Sequence, residues 1–452
     1  MAPTIQAQAL QYRVALLAAT ANEKELPFWL TANRYGIVDP PGSNVITRLS
    51  VERPLTKPEG WDYFVGIDML GRASPQETLY AHQLYAGFRS GPFELTVGRK
   101  EETTGLVDSS LSVGSMTWSG NATPVPKISI SVPAYTDVPG TAGFIAFKGA
   151  LAHGWLEKDR FVENAFVHEK YLFLRFFGPD DARVHGHAGL IHNATWGGTH
   201  PVLGPIPQDL DAFFRVFRAQ SGDIPDATPT LGNSVATYEA GLTINTSTFT
   251  GMAYRQFYLE DRPALKFRNV WDGLWGVSLK FRDRSRLISR LLWEHVNTKR
   301  QGAKYSEGER KGVDSYYFNS IYRSGWTYHG RTLGLPLLFA DAQRRSIVNN
   351  IVIAHHLGFE GAFSRRIAYK AFFTYSRNYG AAQACRDADC LNTASLRTPR
   401  TDQYSILFET TGSLLEDHPL AFIAAVAFDV GDLYPENVGA MIGLSWRGRI
   451  GR

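Results

Sequence analysis

The chain has 452 residues, a formal net charge of +4, 13% aromatic side chains and 20% charged ones. That length fits two or three soluble domains or one large barrel, and so mild a charge without a long basic run argues against a nucleic-acid partner. No stretch approaches the roughly 20 apolar residues of a membrane-crossing helix, which excludes a helical membrane protein but not a barrel, whose strands are only half apolar.

The opening MAPTIQAQA carries small residues in an A-x-A arrangement, and residues 1–9 read as the remnant of an export signal behind a starting methionine. From Leu10 onward, segments of about ten residues alternate apolar and polar. Strands are expected at 10–18, 44–54, 61–71, 79–90, 92–101, 126–133, 143–152, 164–177 and 182–192. They continue at 234–246, 248–259, 272–283, 285–297, 345–359, 363–377, 402–411, 419–430 and 437–448.

Successive side chains of a strand point to opposite faces, so the alternation gives each strand one apolar and one polar side. Ile145, Phe147 and Leu151 oppose Ala146 and Lys148; Trp275, Val277, Leu279 and Phe281 oppose Ser278, Lys280 and Arg282. Ile442, Leu444 and Trp446 oppose Ser445 and Arg447. Segment 164–177 has apolar residues on both faces and Glu169 beside Lys170, and the pattern does not orient it.

The links alternate in length. Ser90-Gly91-Pro92, Gly178–Asp181, Thr246–Thr248, Asp283–Ser285 and Gly358–Gly361 read as tight turns, with 134–142 the longest on that side. The long links 19–43, 102–125, 193–233, 298–344 and 378–401 fall between them. The expected fold is all-β: one domain over 1–452, a transmembrane antiparallel β-barrel of about 18 strands with long extracellular loops and periplasmic termini. One short loop helix is expected over Gln208–Ala219, where Leu210, Phe213, Phe214 and Phe217 form a stripe that would pack over the barrel mouth. Inward Arg48, Glu52, Asp68, Lys148, Arg255, Lys280, Arg290 and Glu294 would give a lumen of mixed sign.

Cys385 and Cys390, in the polar stretch CRDADC, suit a small loop-closing disulfide in an oxidising compartment better than a metal site. His185 and His187 share a face and read as ordinary polar interior residues, while His355 and His356 point to opposite faces. No nucleophile elbow, P-loop or dinucleotide glycine pattern occurs, so neither a catalytic residue nor a cofactor or metal is expected. Glu101, Glu102, Asp108 and Glu260 could pair as acid and base only through the fold.

The distinctive residues lie in the links: PFWLTANRYG (27–36), VGSMTWSGNATPVP (113–126), FKGALAHGW (147–155), HNATWGG (192–198) and FNSIYRSGWTYHGRTLGLPL (318–337). They set Trp and Tyr beside Asn, Arg and His, which suits sugar rings: apolar faces stack and planar polar groups take hydroxyls pairwise. The candidate polysaccharide-binding residues are Trp29, Asn33, Arg34, Trp118, Asn121, Trp155, Trp196, Arg323, Trp326, Tyr328 and Arg331. The structural alternative is that these rings pack the loops together or form a girdle at the membrane interface.

These same strings, in this order, resemble the Wzi-type capsule-assembly family of outer-membrane proteins from about Pro27 to the end. The resemblance implies a monomeric barrel in the outer membrane that holds capsular or other surface polysaccharide as a lectin rather than an enzyme. Enterobacterial members carry a helical plug, whereas no helical pattern precedes the first strand here, so a plug would come from loops such as 102–125. The chain also ends in RGRIGR rather than on a terminal aromatic. The rival readings are a diffusion porin or transporter for small solutes, and an outer-membrane hydrolase.

Overall fold

The computed structural model describes residues 10–451 apart from 57–59, 76, 180, 221–230, 261–268, 302–314, 342, 344, 382–399 and 414–417. Cys385 and Cys390 lie outside the described residues, as do residues 1–9.

The chain runs through β1 (Leu10–Ala21), helix α1 (Phe28–Thr31), β2 (Asn44–Arg53), β3 (Trp61–Ala73), β4 (Thr78–Ser90), β5 (Phe93–Arg99) and β6 (Lys127–Asp137). Then follow β7 (Ile145–Trp155), β8 (Phe166–Phe176), β9 (Val184–Trp196), a small hairpin of β10 (Thr199–His200) with β11 (Gly204–Pro205), and helix α2 (Leu210–Phe217). Next are β12 (Asn233–Asn245), β13 (Phe249–Leu259), β14 (Gly273–Phe281) and β15 (Arg290–Asn297). Two further hairpins come from β16 (Thr327–Tyr328) with β17 (Arg331–Thr332) and β18 (Phe339–Asp341) with β19 (Ser346–Asn349). The last strands are β20 (Val352–Ala362), β21 (Ile367–Asn378), β22 (Thr401–Ser413), β23 (Leu420–Gly431) and β24 (Asn437–Ile450).

Eighteen of these strands form one antiparallel sheet that closes on itself, because β1 pairs with both β2 and β24 (Val14↔Leu49 and Leu10↔Ile450). Closure leaves no sheet edge exposed, as a wall in hydrocarbon requires. The 18 expected strands correspond one to one with these. At one end every connection is short, the longest being 282–289; at the other lie 22–43, 100–126, 197–232, 298–351 and 379–400.

The faces follow the alternation. Trp275, Val277, Ile442, Leu444 and Trp446 are exposed outward, while Ala146 and Ser445 are buried inward. The inward face is cross-linked by charge: Lys370 Nζ lies 3.2 Å from Glu409, Arg34 Nη2 2.7 Å from the same carboxylate, and Arg48 pairs with Asp68 and Glu101.

Several expectations need correction. The strand expected at 285–297 begins at Arg290, and the one expected at 345–359 occupies Val352–Ala362, with Ser346–Asn349 in the separate hairpin. The turn read at Gly358–Gly361 lies inside β20, and the true turn is 363–366. Those glycines permit close approach instead: a Cβ on Gly358 would come 2.9 Å from Leu111 Cβ inside the barrel, and one on Gly361 would strike the Leu287 carbonyl. Arg255 is not inward. It shares the outward face with Trp275, its guanidinium carbon 4.4 Å above that ring, and donates to the carbonyls of Leu274 and Val270.

The lumen is crossed by the link between β5 and β6, in keeping with a plug drawn from 102–125. Inward side chains hold it in sequence. Glu169 accepts from Thr104 Oγ1 at 3.2 Å and Glu239 from the Leu106 amide at 2.6 Å. Gln256 accepts from the Met116 amide at 2.9 Å, and the Leu111 carbonyl lies 2.8 Å from His356 Nε2. A buried strand-free segment needs partners for its backbone groups, and these carboxyl, amide and imidazole groups supply them. Leu111, Val113 and Met116 are fully buried.

β8 now has an orientation. Val167, Glu169, Tyr171 and Phe173 face inward, where apolar residues meet loops, and His168, Lys170 and Leu172 face outward.

Candidate functional site

Two further segments stack on the plug at the loop end. In 22–43, Trp29 is buried against Phe372 and His356 and donates from Nε1 to Thr374 Oγ1 at 3.1 Å. In 315–341, Trp326 is fully buried, edge-on to Trp118, and donates from Nε1 to the Thr117 carbonyl at 2.6 Å. The Tyr317 hydroxyl, also buried, accepts from the Leu335 amide at 2.8 Å.

Above this floor lies an open cavity of about 610 Å³. One wall is built by Asp39 and Gly36 of the first long loop, with Arg72, Tyr80 and Arg99 from the adjacent ends of β3, β4 and β5. The rest of the lining comes from Glu157, Asp159 and Arg160 of the 156–165 link and Tyr328, His329 and Arg331 of the β16–β17 hairpin. Asp341 and Arg345 complete the rim.

The guanidinium groups are held in place. Arg99 Nη2 donates to the Tyr328 hydroxyl at 3.1 Å, and Arg72 Nη1 to the Gly36 carbonyl at 3.2 Å. Arg160 donates to the carbonyls of Thr327 and Gly325, both at 3.0 Å, which ties the 156–165 link to the hairpin. Arg331 spans Thr31 and Val38 by donating to their carbonyls at 3.1 and 2.6 Å. Burial pushes its guanidinium down to about 10, opposed by Asp39 and reinforced by Arg72. Ion pairs of Arg72 with Asp39 (3.8 Å) and Arg345 with Asp159 leave signs mixed across the cavity. Fixed planar donors, carboxylates and tyrosines around a concave space can take a hydroxyl-rich ligand through several paired hydrogen bonds.

Of the residues singled out in the sequence, this cavity brings together Tyr328 and Arg331. Arg323 is exposed beside it, its guanidinium carbon 4.8 Å above Phe161. Trp29, Trp118 and Trp326 are the packed floor beneath. Asn33 donates to the Val113 carbonyl at 2.9 Å, Arg34 pairs with Glu409, and Asn121 donates to the Thr332 carbonyl at 3.1 Å, so all three fasten loops. Trp155 and Trp196 lie on the outward face of the wall, away from the cavity, where Trp155 is 42% exposed and Trp196 is covered. Sequence reading missed Arg72, Tyr80, Arg99 and Arg160. They sit at strand ends and in a short link, where single arginines in alternating strands carry no distinguishing pattern.

Possible catalytic groups are dispersed. Glu101 engages Arg48 and His82, Glu102 pairs with Lys127, Asp108 with Arg290, and Glu260 accepts from Tyr258 and the Tyr317 amide. His187 lies between Tyr135 and Thr243. Among the described residues no three His, Cys, Asp or Glu side chains are grouped to hold a metal.

The family model for the capsule assembly protein Wzi matches residues 29–343 of the chain. Among solved structures, the chain is similar to Wzi, an Escherichia coli outer-membrane protein involved in group 1 capsule assembly and described as a carbohydrate-binding β-barrel. The two share 12% identity and a TM-score of 0.58, over 98% of this chain and 84% of that one. Pseudomonas aeruginosa OccK3 also aligns, at 9% identity and a TM-score of 0.49, over 98% and 96% of the two chains. At these identities the likeness to Wzi is one of fold, and the second alignment supports no argument. A search among curated proteins finds no match.

Proposed function

The chain belongs to the Wzi capsule-assembly family, and from that premise we propose that it is a monomeric lectin of the outer membrane. Its loop end faces the outside of the cell, its termini face the periplasm, and it holds a capsular or other surface polysaccharide without altering it. The observation that carries this reading is the cavity lined by Arg72, Tyr80 and Arg99 together with Glu157 and the Tyr328–Arg331 hairpin. The Tyr80 ring offers an apolar face for a sugar, and Arg72, Arg99 and Glu157 offer paired donors and acceptors for its hydroxyls. Tyr328 and Arg331 position that lining, and Arg323 extends it toward a longer chain.

The filled lumen speaks against a porin, since 104–116 crosses it on hydrogen bonds from four strands. The dispersed carboxylates speak against a hydrolase.

An array of bacterial surface polysaccharides probed with detergent-purified protein tests the proposal. At least one polysaccharide should bind, and Arg99→Ala and Tyr80→Ala should each weaken binding about tenfold, equal to about 1.4 kcal/mol. Binding no stronger than that of an unrelated barrel would overturn it.

A further inference from the structure

Helix α2 does not lie over the mouth, as its stripe of apolar residues suggests; it lies on the outside of the wall. Asp209 caps it, accepting from the Ala212 amide at 2.8 Å, and Ala212 and Val216 are buried against the barrel. The Phe213 ring centroid is 5.5 Å from His168, 5.9 Å from Trp196 and 6.2 Å from His153. These belong to the outward face of β7, β8 and β9, the face that lower down presents exposed Leu151, Leu172 and Leu190. Lys170, also outward, donates to the Phe217 carbonyl and sits 4.3 Å above that ring.

The helix thus covers polar outward residues that would otherwise meet acyl chains, and turns a second apolar side away from the wall. Leu210, 77% exposed, and Phe214, 50%, form that side; Phe217, 37% exposed, lies at its edge beside Lys170, and Asp211 and Arg215 pair with each other on the remaining side. An exposed apolar side continuous with a lipid-facing wall, and flanked by a charged side, is the pattern of a helix lying in a membrane interface.

We propose that α2 seats on the outer leaflet, with Leu210, Phe214 and Phe217 at the boundary between headgroups and acyl chains. It would thereby fix residues 197–220 to the membrane surface beside the rim. The inference rests on the membrane placement of the barrel and is independent of saccharide binding.

The test is fluorescence of the full chain in phosphatidylcholine vesicles whose acyl chains carry bromine near the headgroup. The emission added by Phe214→Trp should lose roughly half its intensity to bromine. Emission added by Asp211→Trp, on the charged side, should be quenched far less. Emission from Phe214→Trp that ignores bromine and is quenched by aqueous iodide overturns the proposal, as does equal quenching at both positions. Wild-type emission, which includes the wall residues Trp275 and Trp293, separates the two failures: if bromine leaves it unchanged, the membrane placement itself is wrong.

Discussion

The Val113 amide, in the middle of the lumen, donates to Glu294 Oε2 of β15 at 2.7 Å. The other carboxyl oxygen of Glu294 accepts from Ser112 Oγ at 2.7 Å and from Tyr254 at 2.6 Å. One side chain of the wall therefore holds the plug at two successive residues. Glu294→Ala should strand these buried donors and destabilise the barrel by roughly 3 kcal/mol. Thermal melts in detergent would read that loss, and planar-bilayer recordings, silent for wild type, should show intermittent openings.

Trp326 separates packing from recognition. Fully buried and bonded to the Thr117 carbonyl, it has no surface to offer a ligand. Trp326→Ala should cost roughly 3–5 kcal/mol of stability. Polysaccharide affinity, measured well below the melting temperature, should fall less than for Arg99→Ala.

Asp272 gives the loop end a pH dependence. It accepts from Tyr316 and the Gln301 amide, both at 2.7 Å, yet burial outweighs those bonds and pushes its carboxyl up to about 6. A folded-state value above the ordinary carboxylate value means that the contribution of Asp272 to stability is complete below about pH 4 and is lost as pH rises to about 6, by roughly 2–3 kcal/mol. Melting temperature against pH should show that decline in wild type. Asp272→Asn should shrink the decline in that window by about the same amount.

The outward face should reject charge. Ile442, 64% exposed on β24, meets hydrocarbon in this account, and Ile442→Arg should cost about 2–4 kcal/mol on refolding into phospholipid vesicles. The same change at a water-exposed site would cost little.

The wall of the barrel was legible because one physical rule, alternation against lipid, governs each strand separately. It failed where loops intervene. Gly358 and Gly361 looked like a turn because small residues that admit a neighbouring backbone leave the same trace as residues that bend the chain. β8 looked unorientable because the plug makes its inner face apolar and α2 covers polar residues on its outer face. Arg255 looked inward because charge on a strand usually is, whereas it reaches the carbonyls at the rim from outside.

The candidate site was legible only in part. Long aromatic strings lie in loops that meet at the cavity, but Trp29, Trp118 and Trp326 are conspicuous because a buried loop floor needs large rings, and the cavity above is lined by scattered arginines. Arg72, Arg99 and Arg160 come from three separate segments, and only the closed sheet places them together.

The most direct test of the lectin reading is hydroxyl-radical footprinting of the purified protein with and without a bound surface polysaccharide. Protection should concentrate on Tyr80, Arg99 and the 327–331 hairpin, with the outward-facing Trp155 unchanged. Protection confined to other loops, or none at saturating polysaccharide, would contradict it.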